Sequence, residues 1–164
     1  MDYAIVRPNQ FLQSVSESTI PSIDEDGHVY VDAGDARIST ADTRDVAAVA
    51  SILLTEGGHN GAHYDVTGPQ ALSYHDVASE LSSALGREIT YVDVPDDAVR
   101  DSLLGLGLDR WFVDALVGLY EDYRRSGTDG YASVLTDTVE RLTGARPRSL
   151  AGLLSELQPT AEES

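Results

Sequence analysis

The chain has 164 residues and a net charge of −17, from 28 acidic against 11 basic side chains. It contains neither cysteine nor lysine, which excludes disulfides, thiolate metal sites, thiol nucleophiles, Schiff-base chemistry and the Tyr-x-x-x-Lys pair of dehydrogenases. The acid excess argues against nucleic acid, no apolar run approaches the roughly 18 residues of a membrane span, and no signal-peptide pattern opens the chain, so a cytoplasmic protein is expected.

In chain order, Asp2–Arg7 reads as a short, buried-type apolar strand stopped by Pro8. Phe11–Ser18 suits a short helix. Val29–Val31 and Arg37–Ser39 flank Asp32-Ala33-Gly34-Asp35 and predict a small hairpin. Thr43–Thr55 is a helix, with Val46, Val49, Ala50 and Leu53 on one face, Asp42 as cap and Asp45 as first-turn charge. Ala62–Thr67 alternates as a strand and turns at Gly68-Pro69. Ser73 opens a second helix as a capping residue with Asp76 three places on, and Gly86 ends it.

Glu88–Val94 is a further strand. Pro95–Leu104 is a helix with proline at its first turn. Asp109–Arg125 is the strongest helix, its apolar stripe formed by Phe112, Ala115, Leu116, Leu119, Tyr120 and Tyr123. Thr136–Leu142 and Ser149–Leu157 are shorter helices, and an acidic tail over 158–164 is expected to be disordered. Strands alternating with helices, and helices dominating the C-terminal part, give an α/β fold class with partly parallel pairing.

Few constellations point to chemistry. Asp96-Asp97 sits at a helix start, where it complements the dipole. His59 and His63 flank Asn60-Gly61, which breaks any helix that could converge them on a metal, so no metal site is expected. No glycine-rich strand-to-helix turn and no Gly-x-Ser-x-Gly elbow occurs. Trp111 and Phe112 open the long helix, either as a core anchor or as the wall of an apolar ligand pocket. The tyrosines lack the lysine that lowers a catalytic phenol, so Tyr120 and Tyr123 read as core and rim packing. No catalytic residue is assigned. The spread of acids over the whole chain reads as a solvating surface for a high-salt cytoplasm.

Five stretches then stand in a telling order: Tyr3-Ala-Ile-Val-Arg-Pro-Asn-Gln-Phe11, Asp42-Thr-Arg-Asp-Val-Ala47, Tyr64-Asp-Val-Thr-Gly-Pro-Gln-Ala-Leu-Ser73, Leu85-Gly-Arg-Glu-Ile-Thr-Tyr91 and Leu142-Thr-Gly-Ala-Arg-Pro-Arg-Ser-Leu150. Over residues 1–157 the chain resembles the C-terminal, substrate-side half of NmrA-like proteins, atypical short-chain dehydrogenase relatives. The resemblance implies a partial Rossmann-like lobe without the glycine-rich dinucleotide half. It implies the substrate-side portion of an NAD(P)-dependent oxidoreductase, of quinone-reductase, azoreductase or sugar-epimerase kind, inactive alone. The alternative is a non-catalytic redox-sensing or protein-binding module.

NAD(P) enters by the resemblance only, and none is expected to bind the isolated chain. The resemblance places Arg7, Pro8, Asn9 and Phe11 at the nicotinamide side, against their reading as a strand terminator and a core phenylalanine. It makes Trp111, Phe112 and Tyr120 pocket residues for a small-molecule substrate, and Asp42, Arg44 and Asp45 mainly structural. Without preceding strands the first strand keeps a free edge. That edge implies a fragment of a longer product, a homodimer, or a separate complementing chain.

Overall fold

A computed structural model describes residues 2–157; the stretch assigned to an acidic tail lies outside them. The described residues form two small parallel sheets and six α-helices. Strand β1 (Ile5–Pro8) pairs with β3 (His63–Val66), Val6 opposite Tyr64 and Pro8 opposite Val66. Strand β2 (His28–Val31) pairs with β4 (Thr90–Asp93), Val29 opposite Tyr91.

The helices are α1 (Thr43–Thr55), α2 (Tyr74–Leu85), α3 (Asp96–Gly105), α4 (Arg110–Ser126), α5 (Thr138–Thr143) and α6 (Leu150–Leu157). The α/β class and partial Rossmann-like character read from the sequence both hold. No helix among the described residues is long and apolar enough to cross a membrane.

Local chemistry explains most helix ends. The Asp42 carboxylate accepts from the Arg44 backbone N–H at the start of α1. Ser73 and Asp76 cap α2 reciprocally, each side chain taking the other's backbone N–H at 3.2 and 2.9 Å. Gly86 ends α2 at φ +65°, a left-handed turn that a side chain would strain. The α1 face read from the sequence is the packed one. Val49 is buried and Val46 and Leu53 rest against Ala41, Val66 and Val139. The larger core lies under β2 and β4, where Val29, Tyr91, Leu81, Leu150 and Leu154 meet.

Four expectations are corrected. The predicted hairpin does not form: β2 turns to the distant β4, and Ile38 instead bridges Leu72 antiparallel. Parallel partners 62 residues away in sequence leave no turn signature to read. The first strand is shorter than predicted and its residues alternate between exposed and half-buried, so it is not a buried strand. The short helix expected over Phe11–Ser18 forms further along, as a wide helical turn over Val15–Thr19 followed by a tight one over Ile20–Ser22.

On α4 the packed ridge is Val113, Val117 and Tyr123, while Phe112, Ala115 and Leu119 face outward. This helix is apolar on two faces, and periodicity alone cannot say which one the core claims.

One buried carboxylate is poorly served. Asp32 follows β2, and its Oδ2 is buried without a hydrogen bond, 3.4 Å from the Arg124 guanidinium. Burial therefore lifts the Asp32 carboxyl above its ordinary 3.8. A raised acid value penalises the folded state once pH exceeds the unfolded value, and the penalty is complete above the folded one. Asp32→Asn is accordingly expected to raise Tm at pH 7, the gain vanishing below about pH 4. Thermal melts of both proteins across that range check it, and a gain that persists in acid would contradict the assignment.

Candidate functional site

Because β1 and β3 are parallel, both point their C-terminal ends at one place, the crevice where open α/β sheets take their ligands. There Arg7, Pro8, Asn9, Asp65 and Thr67 line a cleft of about 440 Å³. Ser39, Tyr131, Val134 and Thr136 complete its wall.

The rim is held by side chains. The Arg7 guanidinium grips its ladder partner Asp65 with two bonds, Nε to Oδ1 at 2.8 Å and Nη2 to Oδ2 at 3.0 Å. Thr136 donates its hydroxyl to the Asp65 carbonyl at 2.8 Å, and its backbone N–H to the Thr67 hydroxyl at 3.0 Å. The Asn9 amide donates to Ser39 Oγ and to the Ala132 carbonyl, and its own carbonyl accepts from Gln10 N–H. Three bonds on one side chain fix the loop after β1 in a single conformation.

The loop is wired to α4. Gln10 Nε2 donates to the Tyr120 hydroxyl at 3.2 Å, and that hydroxyl shares a 2.6 Å hydrogen bond with Tyr74. Burial pushes both phenols up, Tyr120 strongly so. Burial also holds Tyr123 up at about 12. These phenols keep their protons at neutral pH, so they donate or accept hydrogen bonds and do not act as bases.

Of the residues named from the sequence, Arg7, Pro8 and Asn9 converge on the cleft, and Tyr120 reaches its loop through Gln10. Phe11 lies beside Ala41 with its ring exposed, which excludes the core-phenylalanine reading. Trp111 is 72% exposed and stands edge-to-face against Phe112, itself 42% exposed, which excludes the core-anchor reading. Neither ring is among the residues lining the cleft.

Asp42, Arg44 and Asp45 build structure. Arg44 clasps Asp42 through two nitrogens and Glu156 through a third, and buried Asp45 accepts the backbone and guanidinium of Arg148. Ser39, Asp65, Thr67, Tyr131, Val134 and Thr136 escaped the sequence reading, since no motif links segments this far apart. Register was the one usable signal, because a parallel β1–β3 pair places Asp65 beside Arg7.

With this geometry in hand, the lobe is an α/β unit with a ligand crevice at the ends of parallel strands, and its relatives say which kind. NAD(P)H azoreductase from Xenophilus azovorans is 38% identical over 151 residues, which make up 92% of this chain and 51% of that protein. Quinone oxidoreductase 2 of Escherichia coli is 27% identical over 155 residues. A crystal structure of an NADPH-dependent quinone oxidoreductase from the same species superposes with a TM-score of 0.84 at 25% identity, over 96% of this chain and 55% of that one.

NmrA, a negative transcriptional regulator solved with NAD, shares the fold at a TM-score of 0.67 and 18% identity. No family model matches the chain. The chain spans about half the length of the curated relatives it matches. The chain is thus homologous to about half of these oxidoreductases and shares the fold of NmrA, consistent with the C-terminal, NmrA-like part that its five sequence stretches indicated.

Proposed function

We propose that this chain is the substrate-side lobe of an NAD(P)H-dependent oxidoreductase acting on quinone- or azo-type acceptors. The observation that carries the reading is the cleft beyond β1 and β3, where Arg7, Pro8 and Asn9 are locked in place at the natural ligand crevice of the fold. The named activities of the azoreductase and quinone oxidoreductase relatives support the same class.

The dinucleotide fits this lobe only in part. Among the described residues no glycine-rich turn opens a helix, so nothing here cradles a pyrophosphate. The loop after β1 would meet the nicotinamide end, and the bound cofactor would supply the hydride. The Arg7–Asp65 pair, Thr67 and Thr136 would set the acceptor's position, while the Gln10–Tyr120–Tyr74 chain would hold the loop still. In this reading a dinucleotide-binding half docks along the edge of β1 that faces away from β3, continuing the sheet.

The experiment is complementation. The 164-residue chain alone is expected neither to bind NAD(P)H nor to oxidise it. Fused behind the N-terminal half of the Xenophilus azoreductase, it is expected to do both in the presence of a quinone or an azo dye. Tight NAD(P)H binding by the isolated chain would refute the division of labour.

A second reading is a dinucleotide-responsive module without turnover. The absence of lysine fits it equally well, and the rise of every perturbed phenol favours it, since none of these phenols is tuned toward neutral pH. A folded chimera that binds NAD(P)H yet reduces no acceptor would select it.

A further inference from the structure

Tyr131 is a single exposed aromatic, and such residues are ordinarily unremarked on a protein surface. Its mounting is not ordinary. The next residue, Ala132, is fully buried, whereas Tyr131 is 61% exposed and lines the cleft. The Ala132 carbonyl accepts three donors: Ser39 N–H at 2.8 Å, Asn9 Nδ2 at 2.9 Å and Ser39 Oγ at 3.0 Å. A carbonyl has two lone pairs, so this one is more than saturated.

The Gly130 carbonyl takes both the N–H and the hydroxyl of Ser133. Gly130 itself lies so close to the end of α4 that a Cβ there would fall 2.2 Å from the Ser126 carbonyl oxygen. Behind the exposed ring stands Tyr123, buried, with centroids 6.4 Å apart at 39°. Rigid backbone below, a buried ring behind and open cleft in front form a preorganised aromatic surface.

We infer that Tyr131 is the specificity-determining platform of the cleft, on which a planar aromatic or quinonoid ring stacks. The inference rests on the reading of this cleft as the acceptor site. Arg7 and Thr67 line the same cleft, and their guanidinium N–H and hydroxyl O–H groups are of the kind that meets carbonyl or azo acceptors. Asn9 is then a positioning residue: it binds no ring but holds the turn that presents one. Stacked aromatic pairs contribute about 0.5–1.5 kcal/mol beyond area burial, or roughly twofold to tenfold in affinity. Saturated molecules of the same size gain none of it.

The test needs no cofactor and no second half. Menadione and a saturated cyclic diketone are titrated into the full chain and followed by chemical shifts of backbone amides. Menadione is expected to shift the amides of Arg7, Asn9 and residues 130–134, and the diketone is not. Tyr131→Ala should weaken menadione about tenfold at an unchanged melting temperature, and Tyr131→Phe should stay within about twofold of wild type. Asn9→Ala should weaken it as well, with faster amide exchange at residues 131–133.

Equal affinity of wild type and Tyr131→Ala overturns the inference, as does failure of wild type to bind menadione or equal binding of the diketone. The acceptor-site reading has its own readout, NAD(P)H oxidation by the chimera. An active chimera with an indifferent Tyr131 therefore fails only the inference.

Discussion

Arg44→Met is expected to cost about 3 kcal/mol of stability, enough to lower Tm by roughly 10 °C in a domain of this size. The side chain that suffers is Asp42, whose carboxylate is fully buried at the start of α1. Arg44 meets it with Nε at 2.9 Å and Nη2 at 2.7 Å, and extends Nη1 to Glu156 on α6 at 2.7 Å. One guanidinium thus caps a helix, neutralises a buried acid and ties the last described helix to the first. Methionine keeps the volume and removes all three bonds. The backbone N–H of residue 44 and the Gln13 side chain then remain on the carboxylate, with no cation beside it, and breaking a buried pair by removing one partner leaves an uncompensated charge.

The pH dependence carries the same signature. The Arg44 side chain is the main reason the Asp42 carboxyl sits below its ordinary 3.8, and burial works against it. A lowered acid value contributes stability that is fully present above the unfolded value and is lost as pH falls through the folded one. Wild type should therefore lose this contribution only well below pH 4, and Arg44→Met should lack it at every pH. Chemical denaturation at neutral and acid pH measures both. A variant within about half a kcal/mol of wild type at pH 7 would mean that water already serves the Asp42 carboxylate.

The same contacts show where the sequence was legible. Asp42, Ser73, Asp76 and Gly86 were readable because a cap is chemistry between residues a few places apart. The α1 face was readable because one side of that helix is apolar and the other is not. Asp45 looked like a first-turn dipole charge, and in the fold it is a buried acceptor for Arg148, 103 residues away. Nothing local distinguishes the two roles. The β2–β4 pairing and the Tyr131 turn leave no mark in the sequence for the same reason. In the cleft, Arg7 to Asn9 were visible through the resemblance of their stretch to a known strand end. The opposite wall comes from residues 131–136, whose value lies in their anchors and not in any pattern.

Raising KCl from 0.1 to 1 M is expected to stabilise this chain strongly, against the modest effects usual for a near-neutral domain. The 11 arginines are largely committed within the fold. Arg37 holds Asp76, Arg100 holds Asp114, Arg124 lies between Asp32 and Asp96, and Arg125 takes Glu121 and Asp122. Most of the carboxylates among the described residues have no arginine partner. Repulsion among them is long-ranged at low salt, where the Debye length is about 10 Å, and short-ranged at 1 M, where it is about 3 Å.

Salt also weakens exposed pairs such as Arg7–Asp65, but these contribute little individually. The buried acceptors Asp42 and Asp45 are screened far less. The balance is therefore expected to favour the folded state as salt rises, which is what the high-salt reading of the composition requires. Neutralising exposed acids tests the cause: a variant carrying Asp101→Asn, Asp109→Asn and Asp129→Asn should be more stable than wild type at 0.1 M and converge with it at 1 M. Melts that stay flat or fall with KCl would remove the high-salt reading. A rise in wild type that the triple variant reproduces in full would assign it to hydration by the salt and not to charge.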